Sequence, residues 1–398
     1  MNLIAMAIPV FFLLIGVEVL VARWRGAPVY RFSDSIADLG CGIVQQIVSG
    51  LRKGLVIALY IFLYEFRLAD IPYAWWGWLI AFLGVDFAYY WFHRLSHEIN
   101  FMWAAHVVHH QSEEYNLTVA LRQSAFQGFF SFWFYMPLAL VGVPPLMFGT
   151  MAALNTLYQF WIHTRLIGRM GWLEHIINTP SHHRVHHGQN PKYIDKNHAG
   201  SLIIWDKMFG TFQAEEEEPI YGVTEPVSSW NVLWANVHVW VDSWHRFKAA
   251  TTMSDKLKVW FGKPGFIPPS LPQKTEWIEF PKYDPPARRP VVYYVLGQFI
   301  AVVVATVVYL FKGHEMTTPE FLGLGFMVIA SMAALGALLD GRRWAFGAEV
   351  LRSVAAMIGL AILVPASSTP GLAFGLVLVF VAWIIALSRI RPHAGASA

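Results

Sequence analysis

Long stretches of apolar residues recur along this chain, separated by polar segments or by short turns rich in glycine and proline. An α-helix needs about 20 apolar residues to cross the hydrocarbon core of a bilayer. Nine stretches reach or approach this length, at residues 3–22, 43–66, 73–92, 126–141, 146–162, 291–311, 321–339, 344–365 and 371–387. The pattern predicts an all-α fold, a polytopic membrane bundle of about eight or nine transmembrane helices.

Four of these stretches have features of their own. Arg52 and Lys53 interrupt the second, which we expect to be tilted, broken or partly re-entrant. The fourth and fifth are short and are joined by the sequence GVPP at residues 142–145, which predicts a tight helical hairpin. The first has no basic start and is followed by Arg23 and Arg25, so we expect a retained span and not a cleaved signal peptide.

The same pattern divides the chain into four regions. Residues 1–72 are predicted to form N-terminal transmembrane helices, and residues 73–250 a histidine-rich domain. Residues 251–290, rich in proline and lysine, are predicted to form a cytosolic linker, and residues 291–398 the C-terminal transmembrane helices.

Lys and Arg are unevenly distributed among the loops, and cytoplasmic loops collect these residues. Residues 165–290 hold 15 of the 29 Lys and Arg residues, so this region is predicted to be cytosolic. The same orientation brings His93 and His163, at the ends of two spans, to the cytosolic side. We therefore expect a histidine-rich helical cap on the cytosolic face of an integral membrane protein, in a bacterial inner membrane or the endoplasmic reticulum.

Composition agrees with the membrane class, because 56% of the residues are hydrophobic and only 14% are charged. The formal net charge of +3 is too small to indicate a nucleic-acid partner. A single cysteine, Cys41, excludes an internal disulfide framework and a cysteine-based zinc site.

Histidine carries the candidate chemistry. The sequences HRLSH at residues 93–97, HVVHH at 106–110 and HHRVHH at 182–187 place imidazoles at positions i, i+3 and i+4, which share one face of a helix. Eight or nine converging imidazoles are too many for one metal ion and suit two. Spacing alone allows Fe, Cu, Zn or Ni. A site at the inner ends of apolar helices is accessible to lipid chains. Attack on the C–H bonds of these chains requires redox-active iron and dioxygen, and zinc cannot perform this step.

Two other metal sites fit the sequence poorly. Haem ligation generally needs one histidine from each of two helices and not two HxxHH triads. A zinc protease needs HExxH, but the sequence that begins with His97-Glu98 has Phe101 as its fifth residue.

These motifs resemble those of the membrane fatty acid hydroxylase superfamily, which includes the sterol desaturases. The run DFAYYWFHRLSHEINFMWAAHVVHHQSEEYNLTVALRQS at residues 86–124 is most similar to its alkylglycerol monooxygenase branch, whose members cleave ether lipids. QFWIHT at 159–164, NTPSHHRVHHG at 178–188 and IDKNHAGSLIIWDKMFGTF at 194–212 carry the same resemblance, which covers roughly residues 30–250.

The resemblance implies that residues 73–250 are a catalytic domain with a non-haem di-iron centre. It also implies dioxygen, a lipid substrate and an external reductant, either tetrahydrobiopterin or another donor. Carried over by motif, with His163 as an additional candidate and His182 as a competitor of His183, the metal ligands would be His93, His97, His106, His109, His110, His163, His182, His183, His186 and His187. His198 departs from the tyrosine expected in the branch's DKNYAG pattern.

Further residues are candidates for supporting roles, and no catalytic group beyond the metal ligands is predicted. Around the ligands or a cofactor we expect Glu98, Asp195, Asn197 and His198. Near a polar lipid head group we expect Asn116, Arg122 and Gln123.

The leading hypothesis is a membrane di-iron monooxygenase that hydroxylates a lipid C–H bond and cleaves the ether bond of alkylglycerols. Two alternatives remain open: hydroxylation or desaturation of a sterol, fatty acid or carotenoid by the same centre, and a non-catalytic membrane carrier of metal or haem. Because nothing in the chain resembles a fused cytochrome b5 or flavin domain, a separate reductant or electron-transfer protein is expected.

Overall fold

The computed structural model describes residues 3–273, 278–363 and 370–391, and within these the regular elements are helical. The only β-pairings there are two isolated bridges, Ile177–Leu202 and Gly188–Tyr221. The predicted all-α class is therefore confirmed. The α-helices are α1 Leu3–Trp24, α2 Phe32–Tyr64, α3 Trp75–Glu98, α4 Asn100–His106, α5 Gly128–Val141, α6 Pro145–Trp161, α7 Pro180–His186, α8 Ile204–Phe209, α9 Val232–Ala249, α10 Met253–Phe261, α11 Arg289–Lys312, α12 Thr318–Leu339, α13 Ala345–Leu363 and α14 Pro370–Ile390.

Among the described residues, four helical segments are long and apolar enough to cross a membrane, namely Met6–Trp24, Phe32–Tyr64, Arg289–Glu315 and Thr318–Leu339. They support an integral membrane protein. The predicted spans 73–92, 126–141 and 146–162 fall on α3, α5 and α6. The predicted span 344–365 ends, at residues 364–365, outside the described part of the chain, so the count of eight or nine spans stays a prediction.

The chain forms two compact units, one of Met1–Val227 with Trp234–Lys282 and the other of Ser228–Leu233 with Tyr283–Ala398. In the first unit, α3 packs against α4, α5 and α6, and α2 packs against α5. The three predicted boundaries between the four regions stay predictions.

The predicted hairpin between α5 and α6 depends on a glycine. Gly142 ends α5 with a φ of +106°, a left-handed conformation that side chains other than glycine rarely adopt. A Cβ atom there would lie 1.9 Å from the carbonyl oxygen of Ala69. Pro145 then occupies the first turn of α6, where its fixed φ suits a helix start.

In the second unit, α11 packs against α12 and α14. Arg352 on α13 is buried and paired, because its Nε donates to Glu349 Oε2 at 2.7 Å and its Nη2 to Gln298 Oε1 at 2.7 Å. A charge pair of this kind inside apolar helices must be satisfied internally.

Candidate metal centre

Nine buried histidines of the first unit form two groups. In each group, one potential ligand atom per residue lies within 4.8 Å of all the others. We call them the first cluster, His93, His97, His106, His110 and His186, and the second cluster, His109, His163, His183 and His187. Nine of the ten predicted ligands thus lie in a cluster, including the additional candidate His163, and His182 lies in neither.

The structure divides each HxxHH triad between the two clusters. Residues i and i+4 go to the same cluster, as His106 and His110 do, whereas the i+3 residue His109 goes to the other. His183 and His187 likewise share a cluster that His186 does not join. Positions i and i+4 differ by about 40° around a helix and position i+3 by about 60° in the opposite sense. Each triad can therefore serve both sites.

The Nε2 atoms of the imidazoles face one another. In the first cluster, His106 Nε2 lies 3.0 Å from His93 Nε2 and 3.2 Å from His110 Nε2. In the second, His109 Nε2 lies 3.2 Å from both His163 Nε2 and His187 Nε2. The Nε2 atoms of His183 and His163 are 3.0 Å apart.

The Nδ1 atoms point away from the clusters, and their hydrogen bonds show that the facing Nε2 atoms carry a lone pair and no proton. Backbone carbonyls accept from Nδ1 of His93, His109, His163 and His186, at 2.7, 2.9, 2.7 and 2.9 Å. A neutral imidazole that donates from Nδ1 has no proton left on Nε2. Lone pairs that face one another without a positive charge between them repel.

A metal ion in each cluster removes this repulsion, and the spacing fits one. Imidazole nitrogens bind ions such as zinc at about 2.0–2.1 Å, which puts neighbouring ligand nitrogens about 2.8–3.4 Å apart in octahedral to tetrahedral geometry. The measured separations of 3.0–3.2 Å lie in this range. In addition, Nε2 of His97 and Nε2 of His186 are buried without a hydrogen-bond partner. The donor set therefore fits two nitrogen-ligated metal ions.

Burial keeps the ligands in the proton-free form that a metal requires. Desolvation, partly offset by a hydrogen bond, lowers the pKa of His106 to about 3 and that of His163 to about 3. The pKa values of His183 and His187 are also well below the usual range, first because of burial and then because of their histidine neighbours.

We expect the metal-free protein to lose stability in mild acid. Below pH 6.5 the unfolded chain protonates its histidines, whereas the folded chain keeps His106 and His163 neutral until about pH 3. Between these limits the unfolded state binds more protons, so stability falls as the pH falls. Between pH 7 and 5.5 the loss is about 1 kcal/mol for each of these two residues. Thermal unfolding of chelator-treated protein at both pH values measures it, and an unchanged midpoint would contradict the burial of neutral imidazoles.

One side chain outside the histidine motifs supports a candidate ligand directly. Gln127, just before α5, accepts a hydrogen bond from His106 Nδ1 through its Oε1 atom at 2.8 Å. Sequence reasoning missed this residue, because an isolated glutamine beside an apolar stretch has no recognisable spacing to the histidines.

Replacement of Gln127 by leucine should lower metal affinity by about 10- to 100-fold, because His106 would lose the acceptor that fixes its tautomer. Gln127→Glu keeps an acceptor and should retain metal. Gln213→Leu, in a loop away from both clusters, is the matched control. Metal titration of the three variants measures the effect. Wild-type affinity in Gln127→Leu would show that this hydrogen bond is dispensable.

His182 and His198 occupy different positions around the clusters. The His182 ring packs against Phe212 at 5.4 Å, and the pKa of His182 is lowered to about 4, mainly by burial. The His198 ring lies 5.1 Å from that of His97, and the His198 carbonyl accepts from His93 Nδ1. His198 therefore meets the first cluster through its main chain as well as its ring.

The other predicted supporting residues lie at varied distances from the ligands. Asp195 Oδ1 is 3.7 Å from His97 Nδ1, close enough for an ion pair if the imidazole is protonated. Asn197 has a left-handed backbone and donates through Nδ2 to the His182 carbonyl at 3.0 Å. Glu98 turns away and pairs with Arg94 at 2.8 Å.

The three predicted head-group residues have partners within the protein. Asn116 Nδ2 donates to the Val29 carbonyl at 2.7 Å, and Gln123 Nε2 to the Ala120 carbonyl at 3.2 Å. Arg122 is buried and donates to several acceptors, and its carbonyl accepts from His109 Nδ1.

A cavity of about 580 Å³ adjoins the first cluster and also reaches His187. Its walls combine apolar side chains such as Trp103 and Val107 with polar ones such as Asn100, Asp242 and Arg246. Asn116, Arg122 and Gln123 do not line it, and none of its lining residues belongs to the four candidate membrane spans. The cavity therefore offers both apolar and hydrogen-bonding groups beside the first cluster.

Comparisons with known proteins agree with this centre. The fatty acid hydroxylase family model matches residues 78–211, which contain all nine clustered histidines. The alkylglycerol monooxygenase of Xenopus tropicalis is 41% identical over 86% of this chain and 78% of its own length. That of Homo sapiens is 46% identical over 66% of this chain and 59% of its own length. That of Caenorhabditis elegans is 31% identical over 83% and 70%. No solved structure matches.

The family match and the relatives cover different extents of the chain and agree with one another. The family match brackets the histidine clusters, and the relatives extend over most of the remaining residues. The chain therefore belongs to the fatty acid hydroxylase family and, within it, groups with the alkylglycerol monooxygenases.

Proposed function

We propose that this lipid monooxygenase inserts oxygen into the C–H bond beside the ether oxygen of an alkylglycerol. The observation that carries the proposal is the pair of histidine clusters with facing Nε2 atoms. The alkylglycerol monooxygenases among its relatives support the substrate class.

The first and second clusters would each hold one iron ion. A bound iron pair supplies the activation of dioxygen that oxidation of an unactivated C–H bond requires. The protein holds the imidazoles neutral and aimed inward, through the Nδ1 hydrogen bonds that fix their tautomers.

Oxygen insertion beside the ether oxygen gives a hemiacetal, which breaks down to an aldehyde and a glycerol derivative. The second oxygen atom leaves as water, so each turnover takes two electrons and two protons from a separate reductant. Tetrahydrobiopterin is the reductant that we propose, with a separate electron-transfer protein as the alternative.

The position of the cavity suits this bond. The reacting carbon is one bond from the ether oxygen that joins the apolar chain to the polar glycerol. Asn100, Asp242 and Arg246 in the cavity offer hydrogen-bonding groups to the glycerol hydroxyls, while Trp103 and Val107 offer apolar surface to the beginning of the chain. A head group held in this way aims the chain's first carbon at the clusters.

We also propose that the cavity and the clusters face the cytosol, with about eight or nine spans below them. The excess of Lys and Arg in residues 165–290 supports this orientation.

Purified protein, loaded anaerobically with ferrous iron, tests the function. We expect about two iron ions per chain, and release of fatty aldehyde from an alkylglycerol once dioxygen and tetrahydrobiopterin are added. A parallel panel of a sterol, a free fatty acid and a carotenoid tests the alternative substrates, and turnover of one of these alone would overturn the ether-lipid assignment. Bound metal without any dioxygen uptake would indicate a carrier.

A further inference from the structure

Helix α10 presents an apolar stripe away from the protein. Met253, Leu257 and Phe261 are spaced i, i+4 and i+8, and they are 69%, 53% and 63% exposed. Val259, on the opposite face, is buried and packs inward. A stripe of three large apolar side chains on one helix needs a covering partner, because exposure to water is unfavourable.

Ring contacts connect α10 to the beginning of the apolar helix α5. The Phe261 ring lies 5.5 Å from Phe101, and Phe101 lies 5.5 Å from Phe130 in the first turn of α5. Arg52 Nη1 donates to the carbonyl of Gly128, the first residue of α5, at 2.7 Å. An arginine between apolar helices extends its charge to the membrane boundary. Both observations put α10 at the level where the apolar helices begin.

The charges around the stripe favour a membrane surface over another protein. Residues 247–263 contain four lysines and a single acid, Asp255. Lys256 Nζ lies 5.5 Å from the Phe247 ring centre, and Lys258 Nζ lies 5.7 Å from that of Phe266. Phe247 and Phe266 are half-buried, and the lysines beside them border the exposed apolar stripe. Lysines at the border of an apolar stripe are typical of helices that lie in the interface of a bilayer with anionic lipids.

We propose that α10 inserts its apolar stripe into the head-group boundary of a bilayer that contains anionic phospholipid. Lys263, Pro264 and Gly265 follow α10 directly and line the cavity beside the first cluster. Docking of α10 thereby holds the mouth of the cavity at head-group depth, where an ether lipid presents its glycerol. This last step rests on the proposed function, whereas the docking itself does not.

A fluorescent probe tests the docking in the full-length protein. Cys41 is the sole cysteine and is completely buried, so the thiol of a Leu257→Cys variant labels selectively. In nanodiscs of phosphatidylcholine and phosphatidylglycerol with brominated acyl chains, we expect quenching at residue 257 about threefold stronger than at Lys258→Cys, the matched position on the polar edge. Equal or absent quenching at the two positions would overturn the proposal. If the probe is already shielded from water in detergent and brominated lipid does not quench it, a second copy of the chain covers the stripe. That result would also overturn the proposal.

Activity provides the second readout. We expect Leu257→Glu to raise KM for an alkylglycerol in anionic vesicles by about tenfold, with kcat and the activity in detergent micelles unchanged. Thr251→Glu, at an exposed position just before α10 and outside the stripe, is the control for added charge. A Leu257→Glu variant with wild-type KM in vesicles would overturn the proposal. If the wild type turned over no alkylglycerol, the proposed function would fail while the quenching result would still decide the docking.

Discussion

Substitution of His109 by alanine is expected to abolish metal loading and turnover together. His109 Nε2 lies 3.2 Å from His163 Nε2 and 3.2 Å from His187 Nε2, so it contacts most of the second cluster. Its removal leaves three imidazoles, fewer than the four to six ligands that such an ion takes. Because the proposed reaction uses an ion in each cluster, we expect at least a ~10³-fold loss of kcat.

Elemental analysis and product formation measure this effect in the same preparation. His175→Ala is the control, because His175 is exposed and belongs to neither cluster. Full metal content and full activity in His109→Ala would exclude the second cluster as part of the active site. A folded variant that keeps one ion per chain and loses turnover would support two separate sites.

Replacement of Arg122 by methionine is expected to destabilise the protein by about 3–5 kcal/mol, because it leaves a buried charge without its partner. Arg122 and Asp38 are both buried, and Arg122 Nη1 donates to Asp38 Oδ1 at 3.1 Å. The same guanidinium donates through Nε to the Val108 carbonyl at 2.6 Å and through Nη2 to Gln111 Oε1 at 2.8 Å. These contacts hold the segment that carries His109.

The same variant separates this role from the head-group contact predicted for Arg122. A structural role predicts a lower midpoint of thermal unfolding and partial recovery in the double variant Arg122→Met, Asp38→Leu, which removes both charges. A head-group role predicts a raised KM with an unchanged midpoint. The second result would contradict the buried arrangement.

The sequence was most informative where long-range packing mattered least. Apolar stretches of span length predicted α1, α3, α5, α6, α11 and α12 closely, because a long apolar run is visible in the sequence without knowledge of what packs against it. The short helices α4, α7, α8 and α10 were not predicted individually. Helices of six to nine residues are not stable alone, and tertiary contacts decide where they begin and end.

For the site, the spacing of the histidines predicted that their imidazoles converge, but not how they divide between two clusters. The i and i+4 rule leads to shared faces, yet which cluster His109 or His186 joins depends on how residues 106–110 and 182–187 pack against each other. Nothing in the sequence indicated the acceptors of the histidine Nδ1 protons. A main-chain carbonyl is the same at every position, and the isolated Gln127 has no recognisable spacing to the histidines. The cavity likewise combines segments that are distant in the chain, such as Asn100 and Arg246.

The carbonyl acceptors have a consequence for how this enzyme tolerates genetic change. Four candidate ligands direct their Nδ1 protons to main-chain oxygens, which no codon change deletes. A saturation scan of residues 86–212 should therefore find intolerance at the histidines themselves and broad tolerance at a residue that contributes only its main-chain oxygen, such as Lys196. Substitutions can then accumulate at such a position while the imidazole keeps its orientation.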